Sequence, residues 1–174
     1  MEFKIRPATL DDVPHLVHHR RAMFEDMKQG TPAELNAADE KAHEYFVAAL
    51  GDGSYKGWLA EEVSEAMPKN ESANGESANG EVARREVVAG GGLVIVPWAG
   101  YPGEKHAARV WIVNMYTEPR ARRRGLAKKF VNIITEWCRN EGFASVSLHA
   151  SDAGRLVYQG LGFLPSNEMK LSLR

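Results

Sequence analysis

The chain of 174 residues contains almost no cysteine. Cys138 is the only one, so neither an intrachain disulfide nor a zinc site built from several cysteines can form within it. Scarce cysteine fits a reducing compartment. Cys138 follows Trp137 inside a predicted helix, which favours a packing role for its side chain.

Long apolar runs and a strong net charge are also missing. No stretch reaches the roughly eighteen apolar residues that a membrane-spanning helix needs, and the first four residues, Met-Glu-Phe-Lys, lack the apolar core of a signal peptide. The formal net charge of -1 excludes the overall basic field that non-specific nucleic-acid binding needs. We therefore expect a soluble, cytoplasmic protein with no membrane or nucleic-acid partner.

The hydrophobic fraction of 44% is high enough for one core, and the length is that of one domain, so we predict a single domain over residues 1–174. Its composition breaks only at 64–85, where the pentapeptide Glu-Ser-Ala-Asn-Gly of 71–75 is repeated at 76–80. So polar a repeat offers too little apolar surface to offset the entropy of ordering it. The pattern predicts a mobile insertion within a hairpin at 64–85.

The remaining chain alternates between strand and helix periodicity, which predicts an α/β fold. Within one strand stands Gly90-Gly91-Gly92, whose spacing matches no phosphate-binding loop, so a bulge or close packing is favoured there. The predicted strands are 2–6, 55–63, 87–96, 110–116, 144–150 and 169–173, and the predicted helices are 13–28, 34–50, 126–140 and a short one that Ser151 and Asp152 begin.

The strand 110–116, a basic turn and the helix 126–140 form the centre of this pattern. Pro119 ends the strand, and apolar residues from Leu126 to Trp137 recur at three- and four-residue steps, as on one buried helix face. The turn places four arginines and Gly125 at the free N–H groups of the helix start. Such a junction predicts a site that binds an anion.

The first helix carries four polar residues whose roles the sequence leaves open. His15, His18 and His19 share one surface and could in principle hold a metal, but no glutamate stands between paired histidines as in zinc-protease helices. We interpret them as surface histidines and predict no metal site. Arg20 falls between apolar positions, where a solvated charge is favoured over a role in a cleft.

Two motifs give the chain a resemblance. Arg122, Gly125 and Ala127 fill a pattern of Gln or Arg, any two residues, Gly, any residue, and Gly or Ala; downstream, Tyr158 and Gly162-Phe163 fill Tyr-x-x-x-Gly-Phe. With the predicted element order, these motifs resemble the GCN5-related N-acetyltransferase (GNAT) superfamily. The resemblance implies an α/β fold with a mixed sheet of about six to seven strands and four helices, splayed between the fourth and fifth strands.

The same resemblance implies the activity. An enzyme of this kind moves an acetyl group from acetyl-CoA to a primary amine by direct attack in a ternary complex, and we expect a small-molecule acceptor. A protein or peptide amine is the alternative acceptor. A non-catalytic acyl-CoA-binding module also stays open, because no glutamate stands on the strand 110–116. A homodimer is compatible with either reading of the chain.

The resemblance also assigns the cofactor site. Backbone N–H groups from Arg123 to Lys128 would bind the pyrophosphate, with Arg122 supporting the loop, and the strand residues Met115 to Thr117 would pair with the pantetheine arm. Ser151 takes a family position that is often Asn. The implied cofactor-binding residues are Met115, Tyr116, Thr117, Arg122, Arg123, Arg124, Gly125, Leu126, Ala127, Lys128 and Ser151.

Acetyl transfer needs a donor for the carbonyl oxygen, an acid for the leaving thiolate and a base for the amine. The resemblance gives the acid's position to Tyr158, which could otherwise be a packed aromatic residue, and carbonyl polarisation to the Met115 N–H. The base stays open between Asn114, through a water, and His149 directly, although either could be a satisfied polar residue of the sheet. Attack through Cys138 is disfavoured by its place in the helix.

The acceptor cleft should lie between the helices 13–28 and 34–50 and the loop after Val96. Its candidate ammonium partners are Glu25, Asp26 and Glu118, although each is favoured as a solvated charge.

Overall fold

A computed structural model describes residues 2–64 and 84–173 of the chain. Within these residues the strands are β1 Glu2–Pro7, β2 Tyr55–Ser64, β3 Arg84–Pro97, β4 Ala108–Thr117 and β5 Ser147–Leu148. The α-helices are α1 Val13–Asp26, α2 Pro32–Asp52, α3 Leu126–Glu141 and α4 Asp152–Gln159, and short 3-10 helices span Leu10–Asp12 and Pro119–Ala121.

The strands form one mixed sheet in the order β1-β2-β3-β4-β5. The first four are antiparallel neighbours, and β5 runs parallel to β4. The predicted α/β class with four helices and a splay between the fourth and fifth strands is confirmed. The predicted count of six to seven strands is wrong for the described residues, which form five.

Two predicted strands differ from the structure, and the second of them accounts for the missing strand. The strand predicted at 144–150 is reduced to Ser147–Leu148, because β5 pairs with β4 only at Trp111↔Ser147 and Ile112↔Leu148. The strand predicted at 169–173 is absent: Met169, Leu171 and Leu173 alternate as in a strand, yet their side chains are 82–95% exposed and cover no sheet face. The alternation of apolar and polar residues at 169–173 is therefore not sufficient for strand pairing.

The predicted insertion falls at a hairpin of the sheet. Ser64, the last residue of β2, is the partner of Arg84, the first residue of β3, so the segment between them joins two paired strands. The insertion was predicted at 64–85, but Ser64 belongs to β2, and Arg84 and Arg85 belong to β3. Residues 65–83 lie outside the described residues.

Helices cover both faces of the sheet because neighbouring strand residues point to opposite sides. Leu59 packs with Val13, Leu16 and Phe46 under α1 and α2. The next residue, Ala60, packs on the other side in the cluster that includes Leu126 and Phe130 of α3. The sheet is therefore the middle layer, and β4 contacts α1 on one face and α3 on the other.

The glycine run in β3 faces a bulge whose extra residue belongs to β4, and the glycines themselves are closely packed. Gly90 pairs with Tyr116 and Gly92 with Val113, so Gly91 stands opposite two residues, Asn114 and Met115. A Cβ on Gly91 would lie 2.5 Å from the Met115 Sδ. The glycines let the bulged strand and its large side chains come close to β3.

Candidate active site

A cleft of about 1150 Å³ opens where β4 and β5 separate. Because the two strands pair over only two residues, the edge of β4 beyond Ile112 has no partner strand on that side among the described residues. The cleft is lined by the end of α1, by β4, by the segment from β5 into α4, and by the start of α3. An extended ligand with amide groups could pair with the open edge of β4.

The turn before α3 has the geometry of an anion site. Arg123 and Gly125 have positive φ angles of 61° and 79°, and Gly125 is the N-cap of α3. The Lys129 N–H donates to the Gly125 carbonyl at 3.1 Å. Helix geometry therefore leaves the N–H groups of Leu126, Ala127 and Lys128 without a partner inside the helix, at the end where the helix dipole is positive.

The predicted cofactor residues divide into two groups by position. Met115, Tyr116, Thr117, Arg122, Ala127 and Ser151 line the cleft. The others, Arg123, Arg124, Gly125, Leu126 and Lys128, belong to the turn and to the first turn of α3 without lining the cleft, and Leu126 is buried in the core.

The side chains of two turn arginines are held by the protein. Arg122 Nε donates to the Thr117 carbonyl at 2.9 Å, and its guanidinium pairs with Asp26 at 2.5 Å. Arg124 pairs with Glu62 at 3.0 Å and stacks over Phe3, away from the cleft. The side chain of Arg122 thus ties the turn to both β4 and α1.

Tyr158 lines the cleft from α4. Ser151 caps this helix by accepting a hydrogen bond from the Gly154 N–H at 3.2 Å, and the Tyr158 ring packs edge-on against Phe163 with 5.9 Å between centroids. Burial raises the pKa of Tyr158 above its ordinary value. The phenol therefore keeps its proton at neutral pH and can act as a donor.

Asn114 occupies the β4 bulge with a positive φ of 55°, a conformation that Asn tolerates better than most residues. Its side chain is 6% exposed, and its Oδ1 accepts a hydrogen bond from Arg20 Nη1 at 2.8 Å. The buried Tyr55 hydroxyl approaches the same amide without completing a hydrogen bond of normal geometry, and burial raises the pKa of Tyr55 to about 12. The amide of Asn114 is consequently fixed in place.

His149 lies at the mouth of the cleft. Its side chain is 77% exposed, and its ring stacks on Trp111 with 4.9 Å between centroids. Nε2 lies 3.1 Å from a carboxylate oxygen of Glu168. The structure thus places Tyr158, Asn114 and His149 around one cleft, and Glu168 is a partner of His149 that the sequence did not indicate.

Two residues of α1 depart from their predicted surface roles. His19 is 2% exposed and packs 5.3 Å from the Tyr116 ring, so it is not a surface histidine. Arg20 lines the cleft instead of extending into solvent. The helical stripe that continues Val13 and Leu16 could have indicated both, because positions 19 and 20 continue its three- and four-residue spacing.

The candidate ammonium partners all have partners within the protein. Glu25 forms an ion pair with Arg21 at 2.9 Å, Asp26 forms one with Arg122, and Glu118 lies 3.0 Å from His18 Nε2. Of the three acids only Asp26 lines the cleft. Residues of α1 and β3 line the cleft, whereas no residue of α2 does. The prediction that the helix 34–50 frames the cleft is therefore wrong for the described residues.

Two further findings concern side chains and helices elsewhere. Across residues 2–64 and 84–173, no group of three or more His, Cys, Asp or Glu side chains is placed to hold a metal ion. In the same part of the chain, no helix combines the length and hydropathy that crossing a membrane would need.

Cys138 is buried in the core, and burial raises its pKa to about 11, so its thiol is neutral and inert as a nucleophile.

Several solved structures that are similar to this one are named as acetyltransferases. A GCN5-related N-acetyltransferase from Ralstonia eutropha JMP134 is 26% identical with a TM-score of 0.77, and 99% of each chain is covered. A predicted acetyltransferase with acetyl-CoA from Clostridium acetobutylicum is 22% identical with the same TM-score, covering 99% of this chain and 97% of that one. Glucosamine-6-phosphate N-acetyltransferase from Arabidopsis thaliana is 18% identical with a TM-score of 0.62 over the full length of both chains.

Sequence comparison gives the family directly. No curated protein sequence is a significant match to the chain. The model of the acetyltransferase (GNAT) family matches residues 16–163, which include both motifs and every residue that lines the cleft. The chain therefore belongs to the GNAT acetyltransferase family, as its two motifs predicted.

Proposed function

We propose that the protein transfers an acetyl group from acetyl-CoA to the primary amine of a small molecule, by direct attack in a ternary complex. One observation carries the proposal: a single cleft joins the anion-binding start of α3, the open edge of β4 and the phenol of Tyr158. These are the parts needed to bind a pyrophosphate, to hold an amide-bearing arm and to protonate a thiolate.

Acetyl-CoA would lie along the α3 side of the cleft. Its pyrophosphate would accept hydrogen bonds from backbone N–H groups between Arg123 and Lys128, and the pantetheine amides would pair with the β4 edge at Met115, Tyr116 and Thr117. Ser151, at the start of α4, would contact the same arm. The Clostridium structure with acetyl-CoA, which shares this fold, supports the assignment of the ligand.

The chemistry follows from the groups around the thioester. The neutral amine attacks the carbonyl carbon while the carbonyl oxygen accepts a hydrogen bond from the Met115 N–H, which belongs to a bulge residue with no register partner on β3. As the C–S bond breaks, Tyr158 donates its proton to the sulfur of coenzyme A. The half-buried phenol can serve as the donor because its raised pKa keeps it protonated at neutral pH.

Of the two candidate bases, we infer that His149 takes the proton. If its Nε2 donates to Glu168, its Nδ1 remains an acceptor for a proton of the attacking amine. Asn114 cannot take a proton itself, and its carbonyl oxygen already accepts from Arg20. We therefore assign Asn114 the role of holding a water or the amine in line, and His149 the role of proton acceptor.

The test is coenzyme A thiol release with acetyl-CoA and a broad amine panel. We expect amine-dependent release that falls about 10²- to 10⁴-fold in Tyr158→Phe, the range for loss of a general acid, with unchanged acetyl-CoA affinity. The matched control is Tyr45→Phe, on α2 outside the cleft. Unchanged turnover in Tyr158→Phe would show that Tyr158 is not the general acid. Coenzyme A binding by the wild type without any turnover would favour the non-catalytic acyl-CoA-binding module.

A further inference from the structure

Arg20 is the unusual charge of the cleft. It is half-buried on α1, it donates one hydrogen bond to the neutral Asn114 side chain at 2.8 Å, and its guanidinium lies 4.9 Å from the Phe24 ring centroid. Neither contact neutralises it. Within the part of the chain that the structure describes, Arg20 has no carboxylate partner, and its remaining N–H groups have no protein acceptor.

Neighbouring arginines show how different this is. Arg21, the next residue, pairs with both Glu25 and Asp39, and Arg122 across the cleft pairs with Asp26. A guanidinium in a partly desolvated cleft keeps favourable interactions with a carboxylate or phosphate, which it binds through two parallel N–H groups. Arg20 can therefore still bind an anionic ligand, whereas Arg21 and Arg122 are already paired with carboxylates of the protein.

Much of the cleft that Arg20 lines is apolar. Val94 of β3 is the cross-strand partner of Trp111 on β4, and both line the cleft together with Phe24 and Met27 of α1. Arg20 lies against the Phe24 ring and is hydrogen-bonded to Asn114 in the bulge. An apolar surface with one uncompensated cation selects a ligand with an apolar body and a single anionic group.

We propose that Arg20 is the acceptor-recognition residue and that the acceptor is an amine with an apolar body and an anionic group, a carboxylate or a phosphate. This inference rests on the proposed function, because it names the substrate class of the same cleft. The anion would bind the open side of the Arg20 guanidinium, which leaves the amine beside Asn114 and the thioester.

Asn114 supplies a second, nearly isosteric test of this proposal. A carboxylate at position 114 would stand 2.8 Å from Arg20 Nη1 and neutralise it, and the positive φ of this position is tolerated by Asp as well as Asn. Asn114→Asp should therefore remove the preference for anionic acceptors although Arg20 is still present. Arg20→Gln should do the same by removing the charge itself.

The experiment is calorimetric binding of three matched ligands, measured on the free protein and on its complex with coenzyme A. The ligands are phenethylamine, L-phenylalanine and the phosphonate analogue of phenylalanine, which share one ring and one amine. For the wild type we expect at least about tenfold tighter binding of an anionic ligand than of phenethylamine, as for one charge-assisted pair. The two anionic arms tell carboxylate from phosphate.

In Arg20→Gln and Asn114→Asp the ratio should fall to within about threefold, whereas Arg21→Gln, at the neighbouring position outside the cleft lining, should keep the wild-type ratio. Thermal unfolding shows whether each variant is folded. Equal binding of the three ligands by the wild type, or an unchanged ratio in folded Arg20→Gln, would overturn the inference. Acceptor binding is read without turnover, so a protein that binds the anionic amines but releases no thiol would contradict the proposed reaction and leave the recognition by Arg20 standing.

Discussion

The buried imidazole of His19 should make the fold sensitive to mild acid. The side chain is 2% exposed under Tyr116, and its Nδ1 has no hydrogen-bond partner among the described residues. Burial, followed by the positive charges of His18 and His15, lowers the pKa of His19 to about 4. Because a Cβ on Gly90 would lie only 2.8 Å from Nδ1, the packing leaves little room for water to solvate a charged ring.

The sign and the size follow from proton linkage. The unfolded chain binds a proton at His19 below about pH 6.5, whereas the folded chain binds it only below about pH 4. Stability is therefore fully present above pH 6.5 and is lost as the pH falls from there towards 4. The difference between the two pKa values corresponds to about 3 kcal/mol of unfolding free energy at most. Asp12, whose pKa is lowered to about 2 mainly by its hydrogen bonds with Arg6, acts in a separate window below about pH 4.

The assay is urea unfolding at about pH 7.5 and about pH 4.5. His19→Gln removes the titrating group, so its unfolding free energy should fall about 2–3 kcal/mol less between the two pH values than that of the wild type. His15→Gln, the same change at an exposed position of the same helix, should keep most of the wild-type dependence. If His19→Gln lost as much stability in acid as the wild type, the imidazole would not be held neutral by burial.

Three further predictions concern the cofactor, the bulge and the acid. Ala127→Glu, at the cleft-lining start of α3, should raise the acetyl-CoA Kd by more than about tenfold through repulsion of the pyrophosphate, whereas Ala48→Glu on the exposed side of α2 should leave it unchanged in fluorescence titration. Gly92→Ala, whose Cβ would overlap a buried tyrosine, should lower the unfolding free energy by about 1–3 kcal/mol, and Gly51→Ala, in open space within α2, should raise it by up to about 1 kcal/mol in the same denaturation series. The alkaline fall of kcat should lie above about pH 10, since burial raises the pKa of Tyr158; a midpoint below that value would contradict its role as the acid.

Local signals predicted the centre of the fold well. The helical stripe from Leu126 and the stops at Pro119 and Gly142 define α3 within a residue, and the glycine run is closely packed, which was one of the two alternatives favoured for it. These features depend on near neighbours in the chain. The same holds for the two motifs, since each stands on one short segment and its spacing carries the family resemblance.

Features that depend on distant segments were missed. Alternation predicted strands at 144–150 and 169–173, but strand formation needs a partner edge, and β5 meets β4 over only two residues. The ion pair of Asp26 with Arg122 joins positions 96 residues apart, and the hydrogen bond of Arg20 with Asn114 joins positions 94 apart. Without an observed fold no spacing rule links such pairs, which is why the sequence alone favours a solvated charge at Arg20.

The most direct test of the proposed reaction is to follow the acetyl group itself. Acetyl-CoA with an isotopically labelled acetyl group is incubated with the protein and an apolar amine that carries a carboxylate, and the products are identified by mass spectrometry. We predict that the label appears as an N-acetyl amide of the acceptor, with one thiol released for each amide formed and with none formed by Tyr158→Phe on the same time scale. Tight binding of coenzyme A without any labelled amide, from this or any other amine, would contradict the assignment as an N-acetyltransferase.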